Sequence, residues 1–144
     1  MKKFLTTLAL GLAVAAGVQA QTWPDKPVTL LVPFPPGGST DLIARTLSPK
    51  LQEKFKGTFV VENKAGAGGT IGATAAKRAA ADGYTIFVSS LGPFVIGPHL
   101  IKNPGYDPLK DFDYITVAVQ APNVLAVHAI SPHKSLSDVK KKKK

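Results

Sequence analysis

One segment, residues 28–41, constrains the fold of this chain most. It begins with a branched apolar run, Val-Thr-Leu-Leu-Val, which predicts a buried strand over residues 28–32. Three prolines and two glycines end that strand, and Ser39, Thr40 and Asp41 then begin a predicted helix. A strand that leads through a tight turn into a helix directs free backbone N–H groups and the positive end of the helix dipole to one point. The segment therefore predicts an anion-binding loop.

The side chains of this loop carry no positive charge, because no Lys or Arg lies between Lys26 and Arg45. The backbone would therefore have to bind the anion. Ser39, Thr40 or both are predicted to cap the helix through their hydroxyl groups. Phe34 has two interpretations that the sequence leaves open: packing beneath the loop, or an apolar wall for the carbon chain of a ligand.

The rest of the chain alternates between strand and helix patterns. The predicted elements are a helix over 40–56 that Pro49 should kink or divide, a strand over 58–62, an Ala-rich helix over 70–81 that packs its backbone close to a sheet, a strand over 84–89, a short helix near 94–101, and two strands over 114–119 and 123–128. This order predicts an α/β fold with a mostly parallel sheet.

Three glycine-bearing loops, 33–39, 63–69 and 90–93, each follow a predicted strand. In a parallel sheet the carboxyl ends of the strands lie at one edge, so we expect all three loops to meet there. Ser89 and Ser90, at the end of the third strand, could donate hydroxyl groups to a ligand or simply close the strand.

The sequence lacks the common motifs for dinucleotide, phosphate and metal binding. Gly66 begins a glycine run that does not match the dinucleotide fingerprint, since Ile71 stands where a glycine is required. There is no P-loop and no cysteine, and the three histidines lack metal-ligand spacing. We therefore predict no cofactor, no metal and no catalysis. The alternative is an exported α/β enzyme whose anion-binding loop serves phosphate or acyl chemistry.

The first twenty residues have the pattern of a cleaved secretory signal peptide, with Lys2 and Lys3 before an apolar stretch and Val-Gln-Ala before Gln21. The absence of cysteine excludes a lipid anchor at the cleavage site. Setting aside Lys2, Lys3 and residues 140–144 lowers the net charge from +9 to +2, with 11 Lys and Arg against 9 Asp and Glu. Scattered charges of this kind predict no nucleic-acid partner.

Several motifs in order resemble the Bug family, the extracytoplasmic solute receptors of tripartite tricarboxylate transporters. The matching segments are WPDKPVTLLVPFPPGGSTD at 23–41, VVENKAGAGGTIG at 60–72, ADGYT at 81–85, YDPLKDF at 106–112 and PNVLAV at 122–127. The resemblance covers the chain from Trp23 to about Val139.

This resemblance implies the first lobe of a type II-like periplasmic binding protein, here residues 21–130. It implies a carboxylated ligand (a di- or tricarboxylate, an amino acid or an aromatic acid), docking on two membrane permease subunits, and a periplasmic monomer. Backbone N–H groups and bridging waters of the first loop would hold the ligand carboxylate. The candidate ligand-binding residues are Phe34, Pro35, Gly37, Gly38, Ser39, Thr40, Asp41, Ser89, Ser90 and Gly92.

The last part of the sequence departs from the family pattern. Residues 131–144 are predicted to be a linker and the start of a second-lobe helix, for which Ser135 and Asp138 form a capping box. Family chains continue beyond this helix, whereas here five lysines follow Val139. The expectation is a first lobe that stops at the crossover between lobes, with low stability and weak or no ligand binding.

Overall fold

The computed structural model describes residues 22–121 and 124–141. The predicted signal peptide, residues 122–123 and the last three lysines lie outside that part. The chain divides into two compact units, Met1–Asp113 and Tyr114–Lys144, and each is described separately.

The first unit is built on a three-stranded parallel sheet. Its strands are β1 (Val28–Val32), β2 (Phe59–Asn63) and β3 (Thr85–Phe87), in the spatial order β2-β1-β3. The apolar run of β1 forms the central strand, which pairs with β2 on one side and β3 on the other. Because a central parallel strand is covered on both faces, four of its five residues are buried. The predicted α/β class with a parallel sheet is confirmed.

Two longer helices follow the first two strands. Helix α1 (Ser39–Phe55) runs unbroken through Pro49, so the expected division of this helix is wrong. Proline removes one intrahelical hydrogen bond, but the helix packs on the core both before it, at Ala44, and after it, at Leu51. Ala44 is buried in the core, and the hydroxyl of Ser48 donates a 2.7 Å hydrogen bond to the carbonyl of Phe59 in β2.

Helix α2 (Thr70–Arg78) follows a single 3₁₀ turn at Ala67–Gly69. It is three residues shorter than the predicted helix because the chain turns extended at Ala79. Its Gly72 lies so close to the segment after β1 that a Cβ atom built there would be 2.7 Å from Pro33 Cα and 2.9 Å from Lys64 O. The predicted close approach of this small-residue helix to the sheet is confirmed.

After β3 the chain forms a wide turn at Gly92–Ile96 and a short helix α3 (Gly97–Leu100), where one short helix was predicted. An aromatic cluster of Phe87, Phe94, Tyr106 and Phe112 packs around this turn. The Tyr106 hydroxyl, which is buried, donates to the carbonyl of Pro93. These contacts fix the position of the third loop relative to the sheet.

The second unit contains helix α4 (Leu136–Lys141). The predicted capping box is confirmed, since the Ser135 N–H donates to Asp138 Oδ2 at 2.9 Å and the Asp138 N–H donates to Ser135 Oγ at 3.3 Å. The predicted strands over 114–119 and 123–128 are not strands in the described residues of those segments. An alternating apolar pattern becomes a strand only where a neighbouring strand accepts its backbone hydrogen bonds, and the described residues provide no such ladder there.

No helix in the described parts of the chain combines the length and the apolar character needed to cross a membrane.

Candidate anion-binding site

The three glycine-bearing loops meet at the carboxyl edge of the sheet, as predicted. Gly69, in the second loop, shows this most directly. A Cβ atom built on it would lie 2.5 Å from Pro93 Cγ of the third loop and 3.5 Å from the Phe34 ring of the first. Gly69 has a φ of 95°, a left-handed conformation that favours glycine. Glycine therefore allows all three loops to converge.

The N-terminus of α1 faces this edge without a side-chain cap. The N-cap residue is Gly38, with φ −74° and ψ 166°, so the predicted capping by Ser39 or Thr40 is wrong. The helix begins at Ser39, which places both hydroxyl residues inside its first turn. The first intrahelical hydrogen bond runs from the Leu42 N–H to the Gly38 carbonyl at 2.9 Å. The N–H groups of the three residues before Leu42 have no acceptor within the helix, as at any helix start.

Asp41 lies in this first turn, and its carboxylate points back into the loop. Oδ2 accepts the Gly37 N–H at 2.8 Å and Arg45 Nε at 2.9 Å, and Oδ1 accepts Asn63 Nδ2 at 2.9 Å. The residue is only 2% exposed. The hydrogen bonds from Arg45, Gly37 and Asn63 lower its pKa from the ordinary 3.8 to about 2. Asp41 is therefore an internally satisfied carboxylate at neutral pH.

Asn63 and Arg45 complete this arrangement, and sequence reasoning did not single out either one for the site. Asn63 ends β2 and uses its second amide hydrogen to bind the Phe34 carbonyl at 3.0 Å. Arg45 Nη2 donates to Asn63 Oδ1 at 3.2 Å. A sequence signal existed for Arg45, because an Asp and an Arg four residues apart on a helix form an ion pair. Nothing local to Asn63 indicates its partners, which lie 22 and 29 positions away.

The backbone N–H groups of the predicted site residues fall into two groups, those bound within the loop and those at the helix start without an acceptor. The N–H of Gly37 is bound by Asp41, and the N–H of Gly38 donates a long 3.4 Å bond to the Pro35 carbonyl. Pro35 itself has no N–H. Ser39 is exposed and Thr40 is 7% exposed at the start of α1. Of the predicted backbone donors, those of Ser39, Thr40 and Asp41 have no acceptor within the helix, and the first two directly follow the loop.

The remaining predicted residues lie at the same edge. Phe34 is partly buried and packs against the core, which supports the packing interpretation of its ring. The hydroxyl of Ser89 is buried and finds no hydrogen-bond partner within the described residues, whereas Ser90 is exposed. A Cβ atom on Gly92 would lie 3.7 Å from Gly68 O. The third loop therefore contributes one buried, unpaired hydroxyl to the edge.

The two positively charged side chains beside the site already form ion pairs with carboxylates. Arg45 pairs with Asp41, and Lys64, which begins the second loop, pairs with Glu62 at 3.1 Å. The described residues of the first loop carry no cation of their own. A bound anion would rely on backbone N–H groups and the helix dipole, which favours negative charge at a helix N-terminus by about 0.3–1 kcal/mol and up to ~2 kcal/mol when partly buried.

The low pKa of Asp41 predicts a defined pH dependence of stability. A carboxyl whose folded pKa is about 2, below its unfolded value of 3.8, stabilises the folded state above pH 4 and loses that effect as the pH falls toward 2. We expect the urea midpoint of Asp41→Asn to lie below that of the parent chain at pH 6, and the difference to shrink between pH 4 and pH 2. Fluorescence of Trp23, the only tryptophan, reports the midpoint.

Asp82→Asn is the matched control for this prediction. Asp82 is more exposed and pairs with Lys26 across the surface, so its removal is expected to cost less than removal of the Asp41 carboxylate, because exposed ion pairs contribute little to stability. A difference between Asp41→Asn and the parent chain that stays constant from pH 6 to pH 2 would contradict the prediction.

Similarity to known proteins shows the family to which the chain belongs. A model of the tripartite tricarboxylate transporter family receptor, TctC, matches residues 43–144. BugT of Bordetella pertussis is 40% identical over 132 residues, which cover 89% of this chain and 40% of BugT. The structure of the periplasmic binding protein BugD is similar, with 45% identity over 62% of this chain and 30% of that chain and a TM-score of 0.56.

The structure of R. palustris Rpa4515 with adipate is also similar. It shares 36% identity, covers 83% of this chain and 40% of that chain, and has a TM-score of 0.73. The fold is therefore similar to part of these periplasmic binding proteins. The chain belongs to the tripartite tricarboxylate transporter receptor family, TctC, and the resemblance to Bug receptors is confirmed. It spans about 40% of the length of the curated relatives that it matches.

Proposed function

We propose that the protein is a solute receptor that captures a carboxylated small molecule outside the cytoplasm and delivers it to a tripartite tricarboxylate-type permease. It would reach the periplasm through the predicted signal peptide and act as a monomer. It binds its ligand without chemical conversion. The observation that carries the proposal is the start of α1, which has no side-chain cap and lies at the edge where three loops converge. The two cations nearest to this edge in sequence, Arg45 and Lys64, are already paired with carboxylates.

The chemistry of this edge favours a carboxylate. The N–H groups of Ser39 and Thr40 would donate to one carboxylate group, and the helix dipole would stabilise its charge. The hydroxyl of Ser89, buried and unpaired in the described structure, would offer a third donor from the neighbouring loop. Phe34 would present part of its ring to the carbon chain of the ligand.

The comparisons support the same class of ligand. The family is described as a receptor family, and a similar structure contains adipate, a straight-chain dicarboxylate. The loops carry mostly Ser, Gly, Ala and Pro, and the one Lys, His, Cys or acidic side chain among them, Lys64, is paired with Glu62, which supports binding without catalysis.

Titration of the chain with adipate, followed by ¹H–¹⁵N correlation spectra, tests this proposal. We expect saturable shifts of the Ser39 and Thr40 amide resonances with a dissociation constant of roughly 1–10 mM, because two amide donors at a helix start supply about 3–4 kcal/mol. The neutral isostere adipamide at the same concentrations should produce no saturable shift of these resonances.

Ser39→Pro provides a direct test of the backbone donor. Proline is tolerated at the first helical position, and the extended backbone of Gly38 suits a residue before proline. The substitution removes one N–H while it preserves the helix, so adipate binding should weaken about tenfold, the effect of one charge-assisted hydrogen bond. Ser39→Ala keeps the N–H and should bind as the parent chain does. Equal binding by Ser39→Pro, or equal shifts with adipamide, would refute the proposal.

A further inference from the structure

The loop before α1 already binds an anionic group of the protein itself, the Asp41 carboxylate. Gly37 has a φ of 85°, and this turn directs its N–H toward the Asp41 carboxylate four residues later. Asp41 therefore satisfies a loop donor from inside the protein. A carboxylate that is 2% exposed remains charged only when it is fully hydrogen-bonded, and Asp41 has three donors.

Asn63 connects this carboxylate to the sheet. Both of its amide hydrogens are used, one by Asp41 Oδ1 and one by the Phe34 carbonyl, and its oxygen accepts Arg45. Asn63 is the last residue of β2 and pairs in register with Val32 of β1, so the strand ladder fixes its backbone. Its three hydrogen bonds hold the side chain. One side chain of the adjacent strand thus holds both Phe34, near the start of the first loop, and Asp41, in the helix turn that follows the loop.

Arg45 balances the charge of Asp41. A lone carboxylate in the first turn of α1 would repel an incoming anion and would itself occupy the favourable field of the helix start. The guanidinium donates to the same carboxylate at 2.9 Å, so the pair contributes little net charge at the loop. The helix start then remains available to a second anion.

We propose that Asp41 and Asn63 are positioning residues of the receptor: they bind the Gly37 N–H and the Phe34 carbonyl internally, and thereby fix the loop so that the Ser39 and Thr40 N–H groups remain for the ligand carboxylate. Arg45 neutralises Asp41 in this arrangement. The inference rests on the proposed function for its ligand. Its structural half, the fixing of the loop, does not depend on any ligand.

The ligand-free test measures the Gly37 amide in Asp41→Asn and Asn63→Asp. An amide at position 41 accepts fewer hydrogen bonds and places its own N–H₂ against donors, and a second carboxylate at position 63 removes both donors and repels the first. We expect the Gly37 N–H to exchange with solvent about tenfold faster in Asp41→Asn, which loses one charge-assisted hydrogen bond. Exchange should also be faster in Asn63→Asp, because repulsion between the two carboxylates displaces that of Asp41 from the Gly37 N–H. Asp82→Asn, the same chemical change at the opposite edge of the sheet, should leave the Gly37 exchange rate unchanged.

The ligand test uses adipate with the same variants. We expect Asp41→Asn to bind about tenfold more weakly at high salt, where the Arg45 charge that it leaves unpaired is screened, and Asp82→Asn to bind as the parent chain does. Arg45→Gln keeps the carboxylate and its bond to Gly37, so its Gly37 exchange rate should stay close to that of the parent chain. Its adipate affinity should fall about threefold at low salt and recover at high salt, since the uncompensated charge acts at long range.

The outcomes separate the two proposals. If the parent chain binds adipate and Asp41→Asn binds equally well, the positioning role is overturned while the receptor function stands. If the parent chain binds no organic acid, the receptor function fails and the Gly37 exchange rate alone decides the positioning role. An unchanged rate in Asp41→Asn overturns it in either case. Should Asp41→Asn fail to fold, the Gly37 exchange rate of Asn63→Asp decides the positioning role, and an unchanged rate there overturns it.

Discussion

Leu30→Ala is expected to remove a large fraction of the free energy of unfolding of the first unit. Leu30 lies in the central strand β1, is 1% exposed, and belongs to the core cluster with Val28, Val32, Ala44 and Phe59. Truncation of a buried leucine costs about 2–5 kcal/mol, because it loses burial and leaves a cavity. Domains of this size have about 5–15 kcal/mol of stability in all.

Urea denaturation followed by Trp23 fluorescence and far-ultraviolet circular dichroism measures this effect. Trp23 is a suitable probe because its ring packs edge-on against Phe55 at 5.1 Å and Phe59 at 6.0 Å. Leu42→Ala is the matched control: Leu42 lies on the outer side of α1 and is 66% exposed, so its loss should change stability by less than about 1 kcal/mol. Equal urea midpoints for the two variants would show that β1 is not the centre of the core.

Gly72→Ala should destabilise the first unit by about 1–3 kcal/mol, the usual cost of overpacking, although alanine is the better helix former. The added Cβ would lie 2.6 Å from Pro33 Cβ, 2.7 Å from Pro33 Cα and 2.9 Å from Lys64 O. Two of these three atoms belong to the backbone, so no side-chain movement can relieve the clash. Helix α2 would have to move away from the loops that it supports.

Gly92→Ala is the control for this substitution. A Cβ atom there would meet Gly68 O and Ser90 Oγ at 3.7 Å, an ordinary van der Waals distance. We expect its melting temperature to stay within a few degrees of the parent value. A Gly72→Ala variant that melts with the parent chain would contradict the close packing of α2 on the segment after β1.

The sequence predicted the elements whose signals are local. Val28–Val32 forms a strand because four apolar residues and the β-branched Thr29 stand between turn-forming residues. Ser135 precedes a helix because its hydroxyl and the Asp138 carboxylate reach each other's backbone. The meeting of the three loops also followed from the sequence. Parallel strands joined by helices place every strand end at one edge, whatever the details of packing.

Other predictions failed where a local preference met a tertiary contact. Pro49 was expected to kink or divide its helix, but the helix is undivided, because Ala44 packs in the core before the proline and Leu51 packs against it afterwards. The alternating pattern of 114–119 was expected to form a strand, but a strand requires a partner, and the described residues supply none there.

The candidate site shows the same division. The sequence by itself determined a cation-poor loop between a buried strand and a helix, since charge and turn residues are local properties. Only the tertiary structure decided that Asn63, at the end of the neighbouring strand, binds both Phe34 and Asp41, and that Asp41 takes the Gly37 N–H. Which donors stay free depends on strand register and on short distances between segments far apart in the chain, and these are set by packing.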